Sequence, residues 1–167
     1  EVIAAYYRMV SDELESLRGR AYNFAGDAVV GVFGIPKVHD DDALRAVRSG
    51  LALVERVERL GETLALPMPL RARVGINTGP VAIGTESSEQ GLLFGATVNF
   101  AARLQQSPDP GTVQVSERTW LLTHTQVEYA EPREIVAKGF DDGVRGWPVV
   151  ALEPGIIGLV GANGAGK

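Results

Sequence analysis

The spacing of apolar residues along the chain changes repeatedly between the period of a helix and that of a strand. Residues 2–17 and 43–60 carry an apolar side chain at every third or fourth position, which predicts two amphipathic helices. Shorter segments in which apolar and polar residues alternate predict strands. The predicted strands cover residues 20–25, 28–33, 70–76, 81–84, 112–115, 127–130, 133–137 and 147–152. This order favours an α+β fold, in which helices pack on one largely antiparallel sheet.

Residues with strong boundary preferences predict where the other helices begin and end. A helix is predicted over residues 95–105, before the breaker sequence Pro-Asp-Pro-Gly at 108–111. Ser116 is predicted to cap a short helix that runs to about residue 122. The three aspartates at 40–42 precede the second long helix. We expect these carboxylates to cap that helix, where they favour the positive end of its dipole, and not to bind a metal.

Composition then removes several classes of function. The chain has 167 residues and a net charge of −5, and its basic residues form no stripe, which disfavours nucleic acid as a partner. It has no cysteine, which excludes disulfides and thiolate metal sites and is compatible with a cytoplasmic location. No apolar run approaches the ~20 residues of a membrane-spanning helix. We therefore expect no membrane segment within this sequence.

The helix predicted at 95–105 carries the first candidate chemistry. Asn99 and Arg103 are four residues apart, so they project from the same face of that helix. Arg103 offers a planar fork of donors suited to a phosphoryl group that gains negative charge, and Asn99 can orient a ribose oxygen. By itself, this spacing is more typical of an exposed polar pair than of a site.

A second candidate lies between the first two predicted strands. Asp27 follows Gly26 at a tight turn, so its carboxylate is held at the tip of a hairpin. Carboxylates placed in this way suit Mg²⁺ or Mn²⁺, which keep water and substrate phosphates among their ligands. Considered alone, Asp27 is more typical of an ordinary turn residue than of a metal ligand.

Taken together, six segments of the chain resemble the catalytic domain of the class III nucleotide cyclases, the adenylate and guanylate cyclase family. They occur in the family's order and at about its spacing, and the resemblance extends over residues 1–152. The segments are GDAVVGVFGIP, HDDDALRAVRSGLAL, RARVGINTGPVAIG, FGATVNFAARL, GTVQVSERT and VAKGF. The resemblance implies a ferredoxin-like fold and head-to-tail dimers, formed with an identical chain or with a paralogous cyclase domain, whose active sites are shared between the subunits.

The resemblance also implies a role for each candidate residue. Asp27 matches the second of the family's two metal-binding aspartates, for Mg²⁺ or Mn²⁺. Asn99 matches the residue that orients the ribose, Arg103 the residue that stabilises the reacting phosphate, and Lys138 the lysine that pairs with the nucleotide phosphates. The implied reaction converts ATP or GTP into a 3′,5′-cyclic nucleotide and pyrophosphate.

The sequence departs from the family at three places. Asn23 stands where adenylate cyclases typically have a lysine, and Leu92 stands where they have Asp or Thr, so the choice between adenine and guanine is left open. The family's first strand and its metal-binding aspartate precede the first helix, and this sequence begins within that helix. We therefore expect the first central strand to be missing, and the sequence as given to fold poorly and form no product.

The C-terminal residues predict a different domain. Residues 153–167 are interpreted as the incomplete beginning of a P-loop NTPase domain, because an apolar segment is followed there by G-x-x-x-x-G-K. The phosphate-loop residues are Gly161, Gly164, Gly166 and Lys167. Two alternatives to an active cyclase remain open. Asn23 and Leu92 favour a non-catalytic module that dimerises or senses nucleotide. The phosphate loop favours an attached ATPase that carries the main function and is regulated by the cyclase-like part.

Overall fold

The computed structural model describes residues 2–25, 28–84, 92–135 and 144–153. Within these residues, four helices and nine strands are present, and the predicted α+β class is confirmed. The helices are α1 Val2–Ser16, α2 Asp42–Thr63, α3 Ala96–Gln106 and α4 Glu117–Thr123. The strands are β1 Arg20–Ala25, β2 Ala28–Val32, β3 Val74–Ile76, β4 Ala82–Gly84, β5 Leu92–Phe94, β6 Val113–Ser116, β7 Val127–Tyr129, β8 Arg133–Glu134 and β9 Arg145–Leu152.

The largest sheet has five strands and is mostly antiparallel. Its order is β3-β6-β9-β7, and β8 also pairs with β9. β3 runs parallel to β6, whereas β9 runs antiparallel to β6, β7 and β8. β1 and β2 form a separate antiparallel hairpin, and so do β4 and β5. Among the described residues, β3 therefore has a hydrogen-bonded neighbour on one side only.

The core lies between α2 and the inner face of this sheet. It is built from β-branched residues on β3, β6 and β7, together with one residue of α2 and a tryptophan of β9. Its buried members are Val47, Ile76, Val113, Val115, Val127 and Trp147. Trp147 stacks on Trp120 of α4 at 5.2 Å, and Trp120 stacks in turn on His124 at 4.7 Å. This stack fixes α4 against β9.

The acidic residues at the start of α2 act as predicted only in part: Asp42 lies in the first turn, at the positive end of the helix dipole, but the predicted capping hydrogen bond is not formed. Asp41 is at the N-cap position, but its carboxylate accepts no hydrogen bond from the first turn of α2. Instead it accepts from Nε of Arg45 at 3.1 Å, and Asp42 forms a second ion pair with the same guanidinium. The guanidinium also donates to the carbonyl of Leu17 at 2.6 Å. Arg45 is only 4% exposed, so the two carboxylates are needed to neutralise a buried charge, and this need overrides capping.

The stability of the domain is expected to depend on Asp41 at low pH. Partial burial raises the pKa of Asp41, but the hydrogen bond and charge of Arg45 and the charge of Arg18 leave it below its ordinary value. A carboxyl with a lowered pKa stabilises the fold above the pKa of the unfolded chain and loses this contribution as the pH falls. Asp41→Asn should therefore be less stable than the wild type at neutral pH. In urea denaturation, this difference should close below about pH 4; a gap that is constant with pH would contradict the assignment.

Ser49 on α2 predicts a stabilising substitution. The residue is 1% exposed, and its hydroxyl has no hydrogen-bond partner among the described residues. An unsatisfied buried hydroxyl is costly, and alanine is also the better helix former, so Ser49→Ala should raise the free energy of unfolding by about 1 kcal/mol. Urea denaturation measures the change, with Ser16→Ala at an exposed helical serine as the control. A Ser49→Ala protein that is less stable than the wild type would show that the hydroxyl is satisfied.

Two strand predictions differ from the structure. The strand predicted over 70–76 begins only at Val74, because residue 72 uses its carbonyl to accept from the amide of Gly111 at 2.7 Å, in a loop contact. β5 was not predicted at all, since three consecutive apolar residues show no alternation. It pairs with β4, the strand before it in the chain, in the register Ala82 to Phe94.

Candidate active site

α3 carries the two candidate residues whose side chains lie within the described part of the chain. Gly95 forms its N-cap with φ of 125°, a conformation that favours glycine. Asn99 and Arg103 follow one turn apart; Asn99 is exposed and Arg103 is half-buried. Leu104, which belongs to the same helix, is fully buried. α3 therefore holds one amide and one guanidinium at the surface while its opposite face is anchored in the fold.

The guanidinium of Arg103 is available for an anion. Its Nη1 donates to Oε1 of Gln106 at 3.4 Å, and no carboxylate within the described ranges forms an ion pair with it. By contrast, Arg45 is neutralised by two aspartates. A guanidinium with one weak neutral partner retains most of its donors for a phosphate group.

α3 lies directly on β3 at Gly75. A Cβ atom at this position would come closer than 3.0 Å to backbone atoms of Ala101, Leu104 and Gln105. Only a residue without a side chain permits the helix backbone to approach the strand so closely. Gly75 therefore sets the height of α3 above the sheet, and with it the position of the helix face that presents the candidate residues.

Two hydrogen bonds join the first turn of α3 to the loop after β3. The helix accepts one of them and donates the other. Nδ2 of Asn77 donates to the carbonyl of Thr97 at 3.2 Å, and Oγ1 of Thr97 donates to the carbonyl of Pro80 at 2.6 Å. We call these two bonds the clasp. Thr78 extends the contact, because its hydroxyl lies 2.8 Å from that of Thr119 on α4.

The last turn of α3 is held from β6. Gln114 is 2% exposed, and its Nε2 donates to the carbonyl of Leu104 at 3.0 Å and to Oγ of Ser107 at 2.8 Å. These bonds satisfy a carbonyl that the end of a helix leaves without a partner. α3 is thus fixed at both ends and in its middle.

The remaining candidates lie partly or wholly outside the described residues. Asn23 belongs to β1 and Leu92 to β5, and these two strands lie against each other, although the side chains at both positions are outside the description. Asp27 and Lys138 lie outside the described residues. The phosphate-loop positions Gly161, Gly164, Gly166 and Lys167 also lie outside them, and their predicted roles stay predictions.

Metal-binding groups and membrane-spanning helices were both sought among the described residues. Within residues 2–25, 28–84, 92–135 and 144–153, no group of three or more histidine, aspartate or glutamate side chains is placed to hold a metal ion. None of the helices in this same part of the chain is both long and apolar enough to cross a bilayer.

Comparison with known families decides the assignment of this fold. The model of the adenylate and guanylate cyclase catalytic domain matches residues 2–149. The chain belongs to this family. The resemblance predicted from the six sequence segments is confirmed, and the described sheets and helices belong to a class III cyclase domain.

Individual relatives agree with this assignment. The cyclase domain superimposes on the crystal structure of the guanylyl cyclase Cya2 with a TM-score of 0.83 and 30% identity, covering 92% of this chain and 80% of that one. The adenylyl cyclase CyaB from P. aeruginosa gives the same TM-score of 0.83 with 27% identity, covering 92% and 82%. An uncharacterized protein of Rhizobium meliloti is 31% identical over 160 residues, or 93% of this chain. The chain spans only 15% of the length of that relative.

Sequence reasoning found the residues on α3 that face the solvent but not those that hold α3 in place. Gly75 and Asn77 lie in the segment GINTGP, whose pattern predicts the end of a strand and a turn but no contact with α3. Thr97 and Gln114 carried no signal, because a single Thr or Gln in an element is common and its partner is distant in the sequence. A glycine within an alternating strand was the one available clue to close backbone approach.

Proposed function

We propose that this domain is the catalytic unit of a purine nucleotide cyclase, which converts ATP or GTP into a 3′,5′-cyclic nucleotide and pyrophosphate. The observation that carries the proposal is the pair Asn99 and Arg103 on α3, a helix that is held by the loop after β3, by β3 and by β6. The family assignment gives this pair its substrate class. The guanylate cyclase domain from Catenaria anguillulae, 25% identical with a TM-score of 0.77, was solved in complex with GTP.

The proposed reaction needs positioning and charge stabilisation. The 3′-oxygen of the ribose attacks the α-phosphorus and loses its proton to solvent, while the bond from that phosphorus to the bridging oxygen breaks and pyrophosphate leaves. Asn99 holds the ribose so that the 3′-oxygen faces the phosphorus, which removes most of the entropic cost of the encounter. Arg103 donates to the α-phosphate oxygens as negative charge accumulates on them. Lys138 neutralises the outer phosphates.

The proposal includes a divalent cation held in part by Asp27. A hairpin carboxylate is a hard oxygen ligand of the kind that Mg²⁺ and Mn²⁺ prefer. When bound, the cation would polarise the triphosphate and lower the pKa of the 3′-hydroxyl. The second carboxylate of the family's site belongs to its first strand. We propose that this strand, where it is present, pairs with the edge of β3 that has no strand partner among the described residues.

We also propose that the site is shared between two cyclase domains in a head-to-tail dimer. In this arrangement one protomer supplies Asp27, and its partner supplies Asn99 and Arg103 from its own α3. The dimer explains why a polar face of a firmly anchored helix is presented outwards. The partner is an identical chain or a paralogous cyclase domain in the cytoplasm.

The choice of base is governed by the region around β1 and β5. These strands lie together and carry Asn23 and Leu92, which lack the charge and the hydrogen-bonding group of a typical adenine site. The proposal therefore names a purine triphosphate and leaves both bases to the assay. Residues 153–167 are proposed separately to begin an attached P-loop ATPase domain, on the strength of Gly161, Gly164, Gly166 and Lys167.

A complementation experiment tests the cyclase and its shared site together. Asp27→Ala and Arg103→Ala versions of the full-length protein are purified separately, and each is incubated with ATP or GTP and Mn²⁺. Neither should form a cyclic nucleotide alone, but a mixture should regain activity, because mixed dimers contain one site with both residues intact.

The outcomes of this experiment separate the parts of the proposal. An active wild type whose two variants fail to complement each other would overturn the shared site and leave the cyclase. A folded wild-type dimer that binds nucleotide and forms no product would overturn the cyclase. It would favour the non-catalytic module that regulates an attached ATPase.

A further inference from the structure

We propose that Asn77 and Thr97 are positioning residues, which act through the clasp to hold the first turn of α3 and so aim Asn99. This inference rests on the proposed cyclase function. Its basis is the pair of oppositely directed hydrogen bonds between the loop after β3 and α3, at 3.2 Å and 2.6 Å. Neither residue has a place in the proposed chemistry, since neither belongs to the pair presented on the exposed face.

The clasp anchors the first turn of α3, which has no side-chain cap. The N-cap residue is Gly95, so no side chain accepts a hydrogen bond from the first amides of the helix. A helix that begins at an uncapped glycine is free to fray in its first turn. The bonds made by Thr97 secure that turn, only two residues before Asn99.

Asn77 is itself held rigidly. Its Oδ1 accepts from the amide of Thr78 at 2.9 Å, while its Nδ2 donates to the carbonyl of Thr97. Both ends of the amide are therefore occupied, and the side chain has a single orientation. Gly79 keeps the loop close to α3, because a Cβ at that position would lie 2.7 Å from Oγ1 of Thr97.

The position of the clasp determines what it controls. It joins Pro80, which precedes β4, to Thr97, which lies in the first turn of α3. It thereby fixes the first turn of α3 relative to the segment between β3 and β4. The far end of α3 is secured independently by Gln114. Loss of the clasp should therefore tilt the first half of the helix and displace Asn99 more than Arg103.

Two substitutions at Thr97 provide a matched test. Thr97→Val keeps the shape of the side chain but removes the donor to Pro80, whereas Thr97→Ser keeps the donor. In the full-length protein, Thr97→Val should lower kcat for the cyclic nucleotide by about tenfold or more, because a displacement of about 1 Å at a reacting group costs up to about 10²-fold. KM should change by less than about twofold, and Thr97→Ser should retain most of the activity.

Further variants separate positioning from general stability. Thr125→Val, at an exposed threonine outside the helices, serves as the control and should be unchanged. Asn77→Ala should resemble Thr97→Val, and the double variant should be little worse than either, since both residues act in one clasp. Equal kcat values for Thr97→Val and Thr97→Ser would overturn the proposal. So would a loss of kcat that only matches a loss of folded protein.

Amide hydrogen exchange keeps the clasp testable apart from catalysis. If the wild type forms no cyclic nucleotide, the proposed function fails, and the clasp is judged by exchange in the first two turns of α3. Faster exchange there in Thr97→Val than in Thr97→Ser, with the last turn near Gln114 unchanged, supports the clasp. Identical exchange in the two variants overturns it.

Discussion

Replacing Arg103 with alanine is expected to slow formation of the cyclic nucleotide by about 10²- to 10³-fold, the usual cost of removing a donor that stabilises a charged transition state. The fold should be unaffected, because among the described residues the side chain makes a single long hydrogen bond, to Gln106. The loss should appear in kcat more than in KM, since the charge that Arg103 stabilises develops during the reaction. Arg103→Lys should recover little, because an ammonium group lacks the planar fork.

The matched control for this substitution is Arg59→Ala. Arg59 is an exposed arginine on α2 that is paired with Glu55, so its removal alters net charge by the same amount without affecting α3. Steady-state rates of product formation for the three arginine variants measure the effect. An Arg103→Ala protein that turns over at the wild-type rate would remove Arg103 from the site.

Gly75→Ala is expected to have the largest effect on folding, with a loss of about 3 kcal/mol in the free energy of unfolding. The added methyl group would meet the backbone of α3 and not a movable side chain. The helix must therefore rise from β3 or the strand must bend. Either response also moves Asn99 and Arg103, so activity should fall by more than the loss of folded protein explains.

Gly50→Ala provides the comparison for this prediction. A Cβ at Gly50 would lie 3.2–3.3 Å from side-chain methyl groups of Val113, Ile76 and Val74, which can yield slightly. The gain in helix propensity, about 1 kcal/mol, should offset most of this crowding. Urea denaturation of both variants checks the contrast, and a Gly75→Ala protein as stable as Gly50→Ala would show that α3 is not in close contact with β3.

The elements that could be predicted from the sequence are those whose signals are local. Ser116 was predicted to cap α4, and its hydroxyl accepts from the amide of Thr119 at 3.2 Å, three residues away. α1 and the β1–β2 hairpin were also predicted within one residue of their bounds, because apolar periodicity and a turn specify them. The pairing of Asp41 with Arg45 does not follow from the sequence. An aspartate at this position can either cap the helix or form an ion pair, and the burial of Arg45, which decides between the two, depends on the fold.

Within the candidate site, only the shared helix face of Asn99 and Arg103 could be predicted from the sequence. Asn99 and Arg103 share a helix face, which follows from their spacing alone. The residues that hold this helix do not follow from spacing. Asn77 meets Thr97 across 20 residues of sequence, and the neighbours of Gly75 on α3 are still farther from it in the sequence. Such contacts depend on how β3, β6 and α3 pack together, and no local pattern encodes that packing.

The most direct test of the central claim is the product balance of the full-length wild-type protein. The protein is incubated with ATP or GTP in the presence of Mn²⁺ or Mg²⁺, and the products are identified by mass spectrometry. A cyclase should yield a 3′,5′-cyclic monophosphate and pyrophosphate in equal amounts from at least one of the two nucleotides. Nucleoside diphosphate and inorganic phosphate without any cyclic product, from a folded dimeric protein, would contradict the account.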